Sequence, residues 1–395
     1  MNRRTLGGSL LIWGTYFAQL ALLPGVGVAA RHLGASEAVA GLLTAANGLG
    51  SVLGNPIGGL LVDRLGARWM LRIGLTAAVL SVALLGLPAS VGGIFALLLL
   101  YGAASATLNP AVYALLGERQ AGDPRRRAER LARSGVSIAL ASTFASPVAL
   151  RVLEHGTVGT LGLVLAVAIG LPGLAGYVVL KRELALSAAL PVAVGSAAEF
   201  ATAVPESAER LNWAGLLVPC LAAFALIFGQ GIMGLALTRK GALLGLPGWM
   251  TGAFFSAFAV ATLLIFATPI ARRLDRAPRL RLAGLGISLA LIGLLSLAFA
   301  PSAGLIYVGM ALYGLGFAII FPVCGAMVAD VSPEPVLGRA YGLFYGMFSL
   351  GGILGPILAG LLESVDPFLM GVEPMALALL MVGLQVARQR GTSTV

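Results

Sequence analysis

Twelve long apolar runs, spread from one end of the chain to the other, decide what it can fold into. They lie at about 7–30, 38–62, 70–88, 92–117, 134–154, 156–180, 212–237, 247–271, 280–300, 303–329, 338–362 and 366–387. About 20 mostly apolar residues cross a bilayer as a helix, and in lipid a helix satisfies its own backbone hydrogen bonds. Only 11% of the 395 residues are charged and 58% are hydrophobic, against about 25% charged in a soluble domain. A surface drawn from this composition could not face water all round. The expected fold class is therefore all-α integral membrane, with twelve transmembrane helices, short loops and no separate soluble domain.

The polar residues set orientation. A net charge of +10 could point to nucleic acid, but the basic residues sit at the ends of apolar runs and form no single face. Of the 26 lysines and arginines, all but Arg31, Arg151, Arg239 and Lys240 fall on one side of the expected topology. That bias places both termini in the cytoplasm and the protein in a plasma (inner) membrane. Arg3 and Arg4 before an apolar run ending Val28-Ala29-Ala30 resemble a secretory leader. The run is too long for one, so an uncleaved first span is expected. Cys220 and Cys324 lie inside apolar runs as packing residues, with no metal-ligand spacing around either. The charged, proline-containing stretch 181–211 reads as a cytoplasmic linker between six-helix bundles at 1–180 and 212–395.

These two bundles read as copies. Pro56 and Pro269, Asp63 and Asp275, Pro110 and Pro322, and Pro147 and Pro356 pair at separations of 209 to 213 residues. Each pair occupies the equivalent span or loop of its half. Parallel repeats related about the membrane normal are an established transporter plan.

Between spans two and three the chain reads Gly59-Leu60-Leu61-Val62-Asp63-Arg64-Leu65-Gly66-Ala67-Arg68. This resembles the signature loop of the major facilitator superfamily, with Ala67 in place of one of its basic residues. A degraded copy, with Asp275 and Arg276, follows span eight. The resemblance covers essentially the whole chain and implies two pseudo-symmetric six-helix bundles. It also implies a cytoplasmic latch, in which Asp63 faces the positive N-terminal end of span eleven at Gly338 and Arg339. Gly50, Gly54 and Gly58 in span two, and Gly338, Gly342 and Gly346 in span eleven, are spaced for close helix approach. The resemblance predicts that these two stripes meet.

The same resemblance puts a central cavity between spans one, four, seven and ten and their neighbours. There the sequence offers Trp13, Tyr16, Gln19, Asn47, Asn109, Tyr113, Gln230, Tyr313 and Tyr345. All are neutral, which suits a neutral or amphiphilic organic solute. Carboxylates within spans usually mark proton or ion routes, and only Glu373 is placed to be one. Arg151 with Glu154 is the other candidate coupling pair. Leu98, and the segment Ser146-Pro147-Val148-Ala149-Leu150-Arg151, depart from the arginine and glycine-rich segment of the family's drug–proton antiporters. The expected function is secondary transport of a small organic solute, with export ahead of uptake. A non-transporting receptor on the same fold and a small-metabolite uptake permease are the alternatives. An enzyme is not expected, because ionisable groups do not converge within the spans. No cofactor motif is visible. The lipid bilayer and the solute are the expected partners, and the chain is expected to be a monomer.

Overall fold

The computed structural model describes residues 3–65, 67–87, 90–117, 124–185, 211–268, 278–362 and 365–392. They form twelve α-helices and one short 3-10 turn. The first six are α1 (Arg3–His32), α2 (Glu37–Leu65), α3 (Ala67–Ala83), α4 (Val91–Gly117), α5 (Pro124–His155) and α6 (Val158–Ala185). The second six are α7 (Trp213–Leu243), α8 (Gly248–Ala267), α9 (Arg279–Ala298), α10 (Ala303–Val331), α11 (Glu334–Leu361) and α12 (Pro367–Thr392). Eleven of them are long and apolar enough to span a membrane. The remaining helix, α2, carries Asn47, Ser51 and Asn55 and packs between α4 and α11.

Each expected span coincides with one helix, and the ends differ in an instructive way. Helix α5 starts at Pro124, ten residues before the expected position, and carries Arg125 to Arg133 in its first turns. Charge marks where a helix leaves lipid, not where it stops. Likewise α7 runs to Leu243, so Arg239 and Lys240 are helical rather than in a loop. Lys240 Nζ donates to the carbonyls of Leu297 and Ala298 at the end of α9, and stands 5.5 Å from the Phe368 ring centroid. The cation thus satisfies orphan carbonyls at a helix C-terminus, where the dipole favours it. Most of the expected linker, residues 186–210, lies outside the described residues.

The duplication read from prolines recurs in the hydrogen bonds. Tyr101 of α4 donates to the Thr15 carbonyl of α1 at 2.9 Å, and Tyr313 of α10 donates to the Leu226 carbonyl of α7. Ser51 of α2 donates to the Asn47 and Gly102 carbonyls, and Thr262 of α8 donates to those of Phe258 and Gly314. Gly34 and Gly245, the residues that end α1 and α7, have φ of 72° and 65°. In each, the residue after the glycine bonds five residues back, Ala35 to Ala30 and Leu246 to Gly241, which is a Schellman closure. Every partner in these pairs lies 211 or 212 residues from its counterpart. Tyr313→Phe is expected to lower stability by about 0.5–1.5 kcal/mol, the usual net worth of one such bond. A thermal melt of the detergent-purified variant checks it.

Gly50 and Gly54 do not serve the contact expected of them. A Cβ on Gly50 would lie 2.0 Å from the Leu99 carbonyl oxygen, and one on Gly54 would lie 2.6 Å from Ala103, both in α4. On α11, Gly351 and Gly355 sit equally tight against the Phe224 and Phe228 carbonyls of α7. These glycines close α2 onto α4 and α11 onto α7, each inside its own half. Gly342 and Gly346 touch nothing within 4 Å. Spacing alone says that a helix face permits close approach; it does not say which neighbour takes it.

Candidate functional site

The two halves meet along α2 with α11, α5 with α8, and α1 with α7. The contacts concentrate at one face, that of the C-terminal ends of α1, α5, α7 and α11, which we call the outer face. A Cβ on Gly41 of α2 would lie 2.2 Å from the Pro356 carbonyl oxygen of α11, and one on Gly360 would lie 2.3 Å from that of Glu37. The repeat supplies the mirror contact. A Cβ on Gly252 of α8 would lie 2.5 Å from Pro147 of α5, and one on Gly248 would lie 2.7 Å from the Leu150 carbonyl oxygen. Ser256 adds a hydrogen bond of 2.5 Å to the Thr143 carbonyl.

Between α1 and α7 the outer face is clasped by side chains. Arg31 pairs with Glu37 at 3.2 Å within the first half and donates to Thr238 Oγ1 at 2.5 Å in the second. Thr238 spends its own hydroxyl hydrogen on the Leu235 carbonyl, so its lone pairs are free to accept. The sequence shows Arg31 only as one of the few basic residues on the outer side. Its role depends on where α7 ends, six residues beyond the expected boundary.

Followed towards the opposite face, the same stripes separate. On α2 the stripe of Gly41 and Gly48 continues to Val52 and Asn55, both exposed. On α11 the stripe of Pro356 and Gly352 continues to Tyr345, which is 51% exposed. On α5 the face of Pro147 and Thr143 continues to Leu140 and Val136, which are also exposed. Residues three, four and seven apart share a helix face, so this exposure lies between the halves and not towards lipid. The result is a cleft closed at the outer face and open at the face that carries both termini.

The sequence-derived cavity residues divide. Trp13, Tyr16, Gln19 and Gln230 are half-buried on α1 and α7, with Trp13 5.0 Å from the Phe17 ring centroid. Asn47 is half-buried, and its Oδ1 is shielded with no hydrogen-bond partner among the described residues. Tyr345 stands on the open part of the α11 stripe. Tyr313 is a correction: it is fully buried and ties α10 to α7, because the repeat needs it where Tyr101 serves the first half. Asn109 and Tyr113 belong to α4, but their side chains lie outside the described residues. So do the side chains of Asp63 and Arg64 in α2 and of Arg68 in α3. Gly59 is in α2, while Gly66, Asp275 and Arg276 lie wholly outside; α11 begins at Glu334, four residues before the expected start, so Gly338 lies in its second turn and not at its N-terminus. Arg339 is exposed in the first turns of α11.

Arg151 and Glu154 form an ion pair of 3.1 Å with Arg151 54% exposed, at the outer end of α5. Glu373 is exposed in the second turn of α12. The other acidic side chains described, Glu37, Asp330 and Asp366, also sit at helix ends. What the sequence reading passed over is a set of rings. Phe258 of α8 meets Phe317 of α10 edge-on at 5.3 Å, and Phe317 stacks on Phe321 at 5.9 Å. Phe321 meets Phe348 of α11 at 5.5 Å, and Phe348 meets Tyr345 at 6.4 Å. A separate crevice of about 20 Å³ inside the first half is lined by aliphatic side chains such as Leu22, Leu43 and Leu98. It is too small for an organic solute.

The family model described as Major Facilitator Superfamily matches residues 8–356. The class H tetracycline resistance protein of Pasteurella multocida is 33% identical over 110 residues, covering 27% of this chain and 26% of that protein. The uncharacterized MFS-type transporter YhhS of Escherichia coli K12 is 33% identical over 122 residues, covering 30% and 29%. These matches thus span less than a third of either relative. Among solved structures, nucleoside transporter NupG superposes with a TM-score of 0.72 at 15% identity, over 98% of this chain and 99% of that one. A D-xylose–proton symporter gives 0.72 at 17% identity, over 96% and 95%. At such identities the likeness is one of fold.

Proposed function

This chain belongs to the Major Facilitator Superfamily, and from that premise we propose that it carries a neutral or amphiphilic organic solute across the inner membrane by alternating access. It is a transporter and not an enzyme. The reading rests on one observation above others. Glycine and hydrogen-bond contacts across the halves are packed at the outer face, while the same helix stripes part at the face of the termini. With the basic residues setting orientation, that opening faces the cytoplasm, where a solute can enter or leave it.

The cleft's chemistry supports the solute class. Its described walls are aromatic, aliphatic and amide groups, and the described carboxylates sit at helix ends. An apolar pocket with few polar groups favours a solute with the same balance. The test is flux of a panel of amphiphilic dyes and neutral metabolites in proteoliposomes, with and without an imposed pH gradient. Movement that follows the gradient establishes proton coupling and returns Arg151, Glu154 and Glu373 as its candidates. Movement indifferent to it establishes uniport or another ion. No movement of any solute overturns the transport reading in favour of a receptor.

For the loop after α2 we keep the latch. Asp63 would engage the N-terminal turns of α11, near Gly338 and Arg339, once the cytoplasmic face closes. Asp63→Asn is expected to cut flux about tenfold or more, since a helix N-terminus and a carboxylate contribute about 0.3–2 kcal/mol, to which charge-assisted hydrogen bonds add. Yield and melting temperature should stay near those of the parent. Unchanged initial rates in vesicles would remove the latch.

A further inference from the structure

The internal repeat separates what the scaffold needs from what one half has added. Hydrogen bonds that hold the helices together occur in both halves at a spacing of 211 or 212 residues, as with Tyr101 and Tyr313 or Ser51 and Thr262. Five rings of α8, α10 and α11, namely Phe258, Phe317, Phe321, Tyr345 and Phe348, are not repeated. By the spacing that relates those bonds, Phe258 stands where the first half has Asn47, Phe317 where it has Ser105, and Phe321 where it has Asn109. By the spacing that relates Pro147 to Pro356, Tyr345 and Phe348 stand where it has Val136 and Ala139. The first half packs without rings at these positions, so the shared scaffold does not require them. The rings form one connected series from α8 to α11 and are half-buried or exposed, except Phe344, which backs Tyr345 at 5.2 Å.

We propose that the second half offers the cleft an aromatic face, the series from Phe258 to Tyr345, that stacks on a planar conjugated solute. The substrate class is therefore a flat aromatic amphiphile, rather than an amphiphile in general. This rests on the transport reading only for the site's use, since stacking can be measured without transport. Aromatic pairs prefer offset or edge-to-face geometry and gain beyond their buried area. A saturated analogue of equal size cannot make that gain, because it has no π-system.

A matched pair of neutral probes tests this: naphthyl β-glucoside and decahydronaphthyl β-glucoside, by equilibrium dialysis against the full-length protein in nanodiscs, with empty nanodiscs subtracted. The naphthyl compound is expected to bind about fivefold to tenfold more tightly. Phe321→Leu and Phe348→Leu should each remove most of that preference while leaving the saturated probe within about twofold. Phe299→Leu, an exposed ring at the end of α9 outside the series, should leave the preference intact, and melting curves confirm that all three variants are folded. Equal affinity for the two probes, no measurable binding of the naphthyl probe, or equal losses of both in the ring variants would overturn the proposal. If the naphthyl probe binds as expected but nothing is moved in vesicles, stacking stands and transport falls. If solutes move without regard to aromaticity, the reverse holds.

Discussion

Alanine at Gly41 or at Gly252 is expected to stop turnover while leaving the protein folded. A Cβ at Gly41 would stand 2.2 Å from the Pro356 carbonyl oxygen, and one at Gly252 would stand 2.5 Å from Pro147. These neighbours are backbone or ring atoms, which cannot turn aside as a flexible side chain would. Both contacts cross between the halves, so the clash exists only while the outer face is closed. Overpacking of this kind costs about 1–3 kcal/mol, and a cost borne by one state alone shifts the two-state balance about fivefold to 150-fold. Flux in proteoliposomes should fall at least about fivefold, with the protein held open at the outer face. Gly50→Ala makes the contrast. Its clash, 2.0 Å from the Leu99 carbonyl oxygen, lies inside the first half and is met in every state. It should therefore lower yield and melting temperature instead. Asn55→Cys reports the state from the cytoplasmic side, since the native Cys220 and Cys324 are buried. Normal flux in Gly41→Ala, or a loss of folding as large as that of Gly50→Ala, would sink this account of closure.

What could be read from the sequence followed from strong local physics. Lipid forces apolar runs into helices, so all twelve were legible, and the error at α5 came from equating charge with a helix end. Four residue pairs were enough to expose the repeat, because a repeat imposes one spacing on features of every kind. The site was legible only in its polar residues. Asn47 and Tyr345 stand out in an apolar span, and Tyr313 stood out for the same reason although it serves packing. Rings such as Phe321 and Phe348 looked like ordinary lipid-facing bulk until the fold set them in contact. Helix periodicity defines faces, but which neighbour takes a face is settled by tertiary packing. Hence Gly50 was assigned to α11 and belongs to α4, while Gly41 and Gly360, which do join the halves, carried no distinguishing signal.

Removing the Arg31 clasp should open the outer face, and the geometry says which of its two bonds matters. The pair with Glu37 joins α1 to α2 within one half and survives when the halves separate, so it does not favour either state. The bond to Thr238 crosses to α7 and must break when the outer face opens. A charge-assisted hydrogen bond of this kind contributes about 1.5–3 kcal/mol where it is partly shielded from water. Thr238→Val removes the acceptor at constant volume, and Arg31→Ala removes the donor. Each is expected to shift the population towards the outward-open state by about tenfold. Glu37→Gln weakens the ion pair but leaves Arg31 able to reach Thr238, so it should shift the balance least. Spin labels on His32→Cys and Arg239→Cys, two exposed positions at the outer ends of α1 and α7, would read the separation directly. A longer-distance population should grow in Arg31→Ala and Thr238→Val and stay minor in Glu37→Gln. The same distribution in all three would mean that the glycine contacts alone hold the face shut. A shift as large in Glu37→Gln would mean that the carboxylate, by aiming the guanidinium, is the part that sets the balance.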